Sequence, residues 1–156
     1  MNPLRHVAIR LGAQSWLPRY ARYIIAADES LQKLSGGRLA LLALAGLPEL
    51  VLTVRGRKTG EPRTTPLLCV PHAGGWLVAG SNWGHPRTPA WVYNLREADE
   101  ATVTFGGRST TVSVRVAEGA EREQLWREMV TVWPNYDRYA ERTDRQIPLF
   151  VLTPRS

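Results

Sequence analysis

Two apolar, strand-like runs separated by a basic stretch constrain the fold of this chain more than any other feature. The runs cover residues 47–52 and 67–70, and the stretch between them covers 53–66. Two such runs joined by a glycine-containing loop predict a β-hairpin. We expect its strands at 50–54 and 64–70, so a β-rich region begins with the first apolar run.

The loop of this hairpin is rich in cations. Arg55, Arg57, Lys58 and Arg63 share it with one acid, Glu61. The planar guanidinium group of arginine suits phosphate and carboxylate, and lysine adds a compact charge. Two glycines allow the backbone to turn and to approach a ligand closely. The loop is therefore either a clamp for a polyanionic small molecule or a solvated basic turn, and its own residues leave both interpretations open.

The rest of the chain predicts an α+β domain. Period-2 alternation indicates half-buried antiparallel strands, and helical spacing of apolar residues indicates short helices. Further strands are predicted at 76–79, 101–105, 109–116 and 147–153, a turn at 71–75, and helices at 29–34, 38–45, 90–95, 118–132 and 135–141. Short antiparallel strands with a few helices are typical of a small barrel or a curled sheet.

Composition narrows the classes of function. A chain of 156 residues is most simply one domain, and its net charge of +6 favours an anionic partner such as nucleic acid, a membrane surface or a phosphorylated ligand. No ordered recognition motif accompanies the charge, so nucleic-acid binding is not expected. The one cysteine, Cys69, is expected to be a buried thiol in a reducing cytoplasm. No Cys/His spacing predicts a metal site.

The N-terminal residues 1–27 contain four arginines and no acid. Apolar residues recur there at helical spacing, so the segment either lies on an anionic membrane surface or packs on its parent domain, which we favour. The longest apolar segment, 39–54, is interrupted by Pro48 and Glu49 and is too short to span a bilayer. We therefore expect a cytoplasmic protein, with peripheral contact to the inner face of the membrane as the alternative.

A second candidate site is the long polar and aromatic loop 80–91. Ser81 and Asn82 offer small hydrogen-bonding groups to the edge of a flat heterocycle. Trp91 and Asn94, one helical turn apart, are placed to wall and anchor such a ring. The alternative is that the tryptophans of this loop are core residues.

A third candidate is the aromatic series Trp133, Tyr136 and Tyr139. Spacing of three places these side chains on one helical face, where a tyrosine hydroxyl can donate a proton. The alternative is simple packing. No Ser-His-Asp set, paired-carboxylate site or Walker loop is present, so any enzymatic chemistry is expected to come from a bound cofactor.

Four ordered motifs give the chain a family resemblance. They are Gly-Arg-Lys-Thr-Gly-Glu-Pro-Arg-Thr-Thr-Pro-Leu-Leu (56–68), Ala-Gly-Ser-Asn-Trp-Gly (79–84), Pro-Arg-Thr-Pro-Ala-Trp-Val-Tyr-Asn-Leu (86–95) and Tyr-Asp-Arg-Tyr-Ala-Glu-Arg-Thr-Asp-Arg-Gln-Ile-Pro (136–148). In order and spacing, residues 35–154 resemble the deazaflavin-dependent nitroreductase and quinone reductase family.

The resemblance implies a mainly β, α+β fold: a split β-barrel of the flavin-reductase or FMN-binding type at 35–156, after an N-terminal helical segment at 1–34. It implies coenzyme F420, an 8-hydroxy-5-deazaflavin with a phosphate and an acidic tail. The reduced coenzyme would pass a hydride to a quinone, nitroaromatic or other conjugated acceptor. The alternatives are FMN or another anionic ring system, and a non-catalytic coenzyme carrier. Related barrels often form homodimers.

The resemblance also implies site residues by position. The coenzyme residues are Arg57, Lys58, Arg63, Thr65, Pro66, Leu67, Leu68, Ala79, Ser81, Asn82, Trp91, Asn94 and Leu95. The acceptor residues are Trp133, Tyr136 and Tyr139, and the catalytic candidates are Ser81, Tyr136 and Tyr139. Trp133 stands where similar proteins commonly carry tyrosine, and Asn82 where a relative carries lysine.

Overall fold

The computed structural model describes residues 3–17, 19–20, 22–23, 26–27, 30 and 46–156. The predicted helix at 38–45 lies outside the described residues, as does the one at 29–34 except for residue 30. Helices with described bounds are α1 (Pro3–Gly12), α2 (Ala90–Arg96), α3 (Gly119–Val132) and α4 (Asn135–Glu141), with a 3-10 turn at Asn82–Gly84. Strands are β1 (Glu49–Arg55), β2 (Pro62–Leu68), β3 (Val70–His72), β4 (Gly75–Ala79), β5 (Glu100–Phe105), β6 (Arg108–Val116) and β7 (Leu149–Pro154).

The strands form one antiparallel sheet that curls into a half-barrel. Its order is β2-β1-β5-β6-β7-β4-β3, so β2 and β3 are the two edges. Only Cys69 separates these edge strands along the chain. Because consecutive Cα atoms are about 3.8 Å apart, the sheet must curl until its edges meet. The backbone N–H of Cys69 donates to the Pro48 carbonyl at 3.0 Å at this junction. The predicted α+β barrel is confirmed.

The predicted hairpin is confirmed with a shorter loop. Strands β1 and β2 pair from Glu49↔Leu68 to Arg55↔Pro62, which leaves only residues 56–61 as loop. The ladder extends through residues 53 and 64 because both are β-branched threonines, which fit a pleated surface.

Two predicted boundaries are wrong. The strand predicted at 64–70 ends at Leu68, and the turn predicted at 71–75 is confined to Ala73 and Gly74. Pro71 is tolerated in β3 because β3 is an edge strand and needs fewer backbone donors. Ala73 and Gly74 have φ of 48° and 78°, as the tight two-residue turn between β3 and β4 requires.

Alternate residues of the strands supply two separate hydrophobic clusters. In β7, Phe150 and Leu152 belong to the inner cluster, and Leu149 and Val151 to the outer one. The inner cluster lies inside the barrel and includes α2 residues. The outer cluster packs the sheet against α3 and α4. No described helix is long and apolar enough to cross a membrane.

Candidate functional site

The basic loop, residues 55–63, comprises the turn 56–61 and the strand ends on either side of it, and it is closed and ordered. The Gly56 N–H donates to the Glu61 carbonyl at 2.8 Å, and the Gly60 N–H donates to the Gly56 carbonyl at 2.8 Å. Gly60 has a φ of 74°, which an L side chain adopts with strain. A Cβ on Gly56 would lie 3.2 Å from Thr59 Oγ1. These contacts give the loop a defined backbone from which its cations project.

Arg57 is held in place by two neighbouring residues of α2. Asn94 Oδ1 accepts the Arg57 backbone N–H at 3.1 Å and the Arg57 Nη1 at 3.2 Å. The guanidinium carbon lies 4.9 Å from the centre of the Tyr93 ring, in a cation–π contact. Asn94 is buried, so its amide oxygen needs these donors. The basic loop and α2, which the sequence treats as separate candidates, therefore meet at Arg57.

Lys58 and Arg63 are exposed and keep their charges available. The ion pairs between described residues are His72–Glu128, Arg115–Glu121 and Arg155–Glu100, and none involves the basic loop. Within the described chain the cations of this loop therefore lack a carboxylate partner. This donor set suits a phosphate or carboxylate ligand.

The predicted coenzyme residues of β2 divide between the two faces of the strand. Thr65 pairs with Leu52 and Leu67 with Leu50, so both point to the inner face. Leu67 packs on the inner cluster with Trp91 and Leu95. Leu68 packs instead on the outer cluster, which also contains Ala79 and the three aromatic candidates. The structure thus brings Leu68 and Ala79 to the aromatic series, and Leu67 to α2.

Loop 80–85 has an unusual backbone. Asn82 and Trp83 have φ of 44° and 52°, although neither is glycine, and Gly84 follows with 77°. Non-glycine residues in this region are strained and occur more often at functional sites. The Asn82 amide donates to the Arg87 carbonyl at 3.0 Å. Ser81 and Asn82 make no hydrogen bond to the basic loop, although both segments are described throughout.

Two arginines that sequence reasoning did not select hold this loop. Arg145 donates to three of its carbonyls, and Arg142 Nη1 donates to the Trp83 carbonyl at 3.2 Å. The available signal was their place in the fourth motif, 136–148, where two arginines follow the aromatic pair. Their targets are main-chain atoms far away in sequence, which a motif alone does not reveal.

The three aromatic candidates are buried together. Trp133 Nε1 donates to the Tyr139 hydroxyl oxygen at 3.3 Å, and the rings of Tyr136 and Tyr139 meet edge to face at 6.2 Å. Their residue exposures are 6%, 3% and 2% for Trp133, Tyr136 and Tyr139. Burial raises the pKa of Tyr139 to about 12 and the pKa of Tyr136 further, so both phenols stay protonated at neutral pH.

Helix α1 covers this aromatic group. The Tyr139 hydroxyl donates to the Gly12 carbonyl at 2.9 Å, and Asn135 Nδ2 donates to the Ile9 carbonyl at 2.7 Å. Arg142 also donates to the Ala13 carbonyl. The C-terminal end of a helix has carbonyls without intrahelical partners, and Tyr139 satisfies that of Gly12. The Ile9 carbonyl accepts the Ala13 N–H as well as the Asn135 amide. Packing of the N-terminal segment on its parent domain, as favoured from the sequence, is confirmed for α1.

Cys69 is fully buried, as expected from its apolar run. Burial raises the pKa of its thiol to about 12, with a further contribution from Glu49, so the thiol is protonated and unreactive at neutral pH. Among the described residues, no cluster of three or more His, Cys, Asp or Glu side chains could hold a metal ion.

Comparisons with known proteins give the class and then the family. The haem storage protein HutZ of Vibrio cholerae shares the fold alone, with a TM-score of 0.54, 14% identity, and coverage of 70% of this chain and 82% of that chain. A solved F420-H2 dependent reductase matches with a TM-score of 0.63 and 33% identity, covering 67% of this chain and 93% of that chain. A solved structure described as a domain-swapped dimer matches with the same TM-score and identity, covering 67% of this chain and 79% of that chain. The protein therefore has the predicted split-barrel fold.

Comparisons of sequence identify the same family as the solved structures do. An F420H(2)-dependent quinone reductase of Mycobacterium tuberculosis is 28% identical over 144 residues, which cover 90% of this chain and 97% of that protein. The F420H(2)-dependent quinone reductase family matches residues 22–154. This chain belongs to that family: it is an oxidoreductase, and its cofactor is coenzyme F420.

Proposed function

We propose that this protein transfers a hydride from reduced coenzyme F420 to a quinone, with nitroaromatics and other conjugated compounds as further acceptors. The observation that carries the proposal is the basic loop, in which Arg57 is fixed by Asn94 while Lys58 and Arg63 lack carboxylate partners among the described residues. An exposed, ordered set of cations that form no ion pair within the described chain is suited to a polyanionic ligand.

The loop fits the coenzyme by the chemistry of its donors. The phosphate and acidic tail of F420 require several cationic hydrogen-bond donors, and Arg57, Lys58 and Arg63 would hold them. Each hydrogen bond to a charged group contributes roughly 1.5–3 kcal/mol. Because Arg57 is already oriented by Asn94 and Tyr93, little of its side-chain freedom remains to be lost on binding.

The ring of the coenzyme would lie near the residues that the resemblance assigns to it. These are Thr65, Pro66, Leu67, Leu68, Ala79, Ser81, Asn82, Trp91, Asn94 and Leu95. Support comes from packing, because Leu68 and Ala79 share a cluster with the aromatic residues proposed to face the acceptor. The bound reduced coenzyme supplies the hydride, while these residues position its ring and exclude water.

Tyr139 is the better supported proton donor of the two tyrosines. Its hydroxyl proton points to the Gly12 carbonyl, and its oxygen accepts from Trp133 Nε1. The raised pKa keeps it protonated, with Tyr136 as the alternative donor and Ser81 as a further catalytic candidate. Donation to an acceptor would require Gly12 to release this hydroxyl.

The proposal is tested by anaerobic reoxidation of the reduced coenzyme in the presence of quinones, nitroaromatics and enones. Faster reoxidation with quinones than with buffer alone is the expected result, and the acceptor ranking gives the substrate class. Tight coenzyme binding without acceptor-dependent reoxidation would instead identify a carrier. Preferential binding of FMN in a parallel fluorescence titration would overturn the assignment of the ligand.

Arg63→Ala tests the role of the loop. It should weaken coenzyme affinity more than it slows turnover at saturating coenzyme, because the loop binds the tail and not the reacting ring. Arg108→Ala removes an exposed arginine at the first residue of β6, beside the turn from β5, and serves as the matched control. An unchanged affinity in Arg63→Ala would count against the tail-binding role.

We also propose peripheral contact of residues 1–27 with an anionic lipid surface. Val7, Leu11 and Trp16 are exposed by 51%, 47% and 45%, in a segment with four arginines and no acid. Such a surface suits the boundary between apolar tails and anionic headgroups. Co-sedimentation with anionic vesicles should fall when all three residues are changed to Ser. Equal binding by this variant would contradict the contact.

We also propose a homodimer, because a related solved structure is described as a domain-swapped dimer. Light scattering across a dilution series tests it, and a monomer mass at all concentrations would contradict it.

A further inference from the structure

Arg145 makes an uncommon set of contacts for one side chain. Its Nη1 donates to the Gly80 carbonyl at 3.0 Å, its Nη2 to the Ser81 carbonyl at 2.9 Å and its Nε to the His85 carbonyl at 3.1 Å. All three nitrogens of the guanidinium are therefore engaged by one loop. Lysine has no planar group that could reach three carbonyls in these directions.

The loop needs such support because of its backbone. Asn82, Trp83 and Gly84 occupy the left-handed region in succession, and the first two carry side chains that disfavour it. Inside the loop, the Gly84 and His85 N–H groups donate to the Ser81 and Asn82 carbonyls at 2.9 Å each. Strained conformations of this kind persist only where surrounding contacts determine them.

The guanidinium of Arg145 is partly buried where it binds these carbonyls. Burial lowers the pKa of its guanidinium, and within the described chain it forms no ion pair with an acid. The carbonyl dipoles of loop 80–85 face its charge directly. The bonded residues are 60 to 65 positions apart in sequence. They therefore connect the loop that follows β4 to the segment that precedes β7.

We infer that Arg145 is a positioning residue for the coenzyme: its guanidinium holds loop 80–85 in the shape that presents Ser81 and Asn82 to the deazaflavin ring. This inference rests on the proposed function of that loop. Arg145 itself acts through the backbone of the loop, since all three described hydrogen bonds of its guanidinium go to carbonyl oxygens.

The test compares Arg145→Lys with Arg122→Lys. Arg122 is a matched control, because it is also partly buried and donates to a main-chain carbonyl, that of Ile147, at 2.5 Å. Both variants should unfold at lower temperature than the wild type. Only Arg145→Lys should bind oxidised F420 about tenfold or more weakly, as expected for a loss of correctly placed polar contacts.

The KM for coenzyme and the rate of amide hydrogen exchange are two further measurements that a general loss of stability would not change. In Arg145→Lys the KM for coenzyme should rise, while Arg122→Lys keeps the wild-type value well below its unfolding temperature. In the wild type, F420 should slow amide exchange at Gly84 and His85. This second measurement needs no variant, so it applies even when Arg145→Lys fails to fold.

Equal coenzyme affinity in Arg145→Lys and wild type would overturn the inference, as would an equal loss in both variants. Unchanged exchange at Gly84 and His85 on coenzyme binding would do the same. A wild-type protein that binds no F420 would overturn the proposed function and this inference together. Failure of the inference about Arg145 alone is therefore distinguishable from failure of the proposed function.

Discussion

At the scale of single residues, Asn94 connects the basic loop to the interior. Its Oδ1 is shared by the backbone and the side chain of Arg57, at 3.1 and 3.2 Å. The sequence placed Asn94 beside a ligand ring because it follows Trp91 by one helical turn. Its described contacts are instead with Arg57 of the basic loop, which we propose binds the coenzyme tail.

Asn94→Ala should therefore weaken coenzyme binding and lower stability together. The Arg57 N–H would lose its acceptor, and leaving such a group unpaired costs about 1–3 kcal/mol. Denaturant unfolding gives the stability, and fluorescence titration gives the affinity. Arg96→Ala, an exposed change on the same helix, is the control, and equal effects in both variants would contradict the anchoring role.

Tyr139 is expected to make the free energy of unfolding fall at alkaline pH. Burial raises its pKa from 10.0 to about 12, so the folded state holds the phenolic proton more tightly than the unfolded chain does. The unfolded state then releases that proton first, and stability falls as pH rises from about 10 to 12. Tyr139→Phe should be less stable at neutral pH, because its hydrogen bond to Gly12 is lost, yet should decline less steeply.

Measurement of the unfolding free energy at a series of pH values from about 8 to about 12 checks this expectation, because the window lies between the ordinary tyrosine pKa near 10 and the raised pKa of Tyr139. Parallel decline of the variant and the wild type would contradict it. Cys69 acts in the same direction because burial raises its thiol pKa to about 12. Burial raises the pKa of Tyr136 as well. The contribution of Tyr139 is therefore read as the difference between Tyr139→Phe and its parent in a Cys69→Ala background, where Tyr136 is common to both.

At the scale of secondary structure, α1 and the aromatic group depend on close contact at Gly12. A Cβ there would lie 2.5 Å from Trp133 Cζ2 and 2.9 Å from Asn135 Nδ2, distances that real side chains do not adopt. The carbonyl of the same residue accepts the Tyr139 hydroxyl. One glycine thus allows both the packing of α1 and the hydrogen bond that holds it.

Gly12→Ala should loosen α1 from the domain. Overpacking of this kind costs about 1–3 kcal/mol. Limited proteolysis should cut the N-terminal segment faster in the variant, and tryptophan fluorescence should report the change at Trp133. Arg10→Ala, an exposed change on the same helix, is the control. Unchanged proteolysis in Gly12→Ala would show that α1 does not depend on this contact.

The helices and strands and their order along the chain were largely predictable, because both depend on the local pattern of polar and apolar residues. Alternation predicted the pair β5 and β6 to within a residue, and α4 begins and ends at its predicted residues, 135 and 141. The break at Cys69 was not predictable, because the apolar run 67–70 continues through it. Only the closure of the barrel makes that residue a junction between the two edge strands.

At the scale of the whole molecule, coenzyme binding should stabilise the fold. The proposed ligand contacts come from β2, α2 and loop 80–85, which are distant in sequence and assembled only in the folded state. A ligand at 100 times its Kd adds about 2.7 kcal/mol when it binds the folded state alone. Thermal unfolding with F420 and with FMN should show a larger shift for F420. A shift of the same size in Arg63→Ala would argue against tail binding by the loop.

The sequence by itself determined the barrel hairpin, the strand pattern and the basic loop, because alternation, turn residues and charge are local properties of the chain. It also supplied the motifs that define the family. Only the tertiary structure decided that Asn94 holds Arg57, that Arg145 holds loop 80–85 and that α1 closes over Tyr139. These contacts span 37, 65 and 127 residues. Such pairings follow from how the sheet curls and where the helices pack, which no short window of sequence contains.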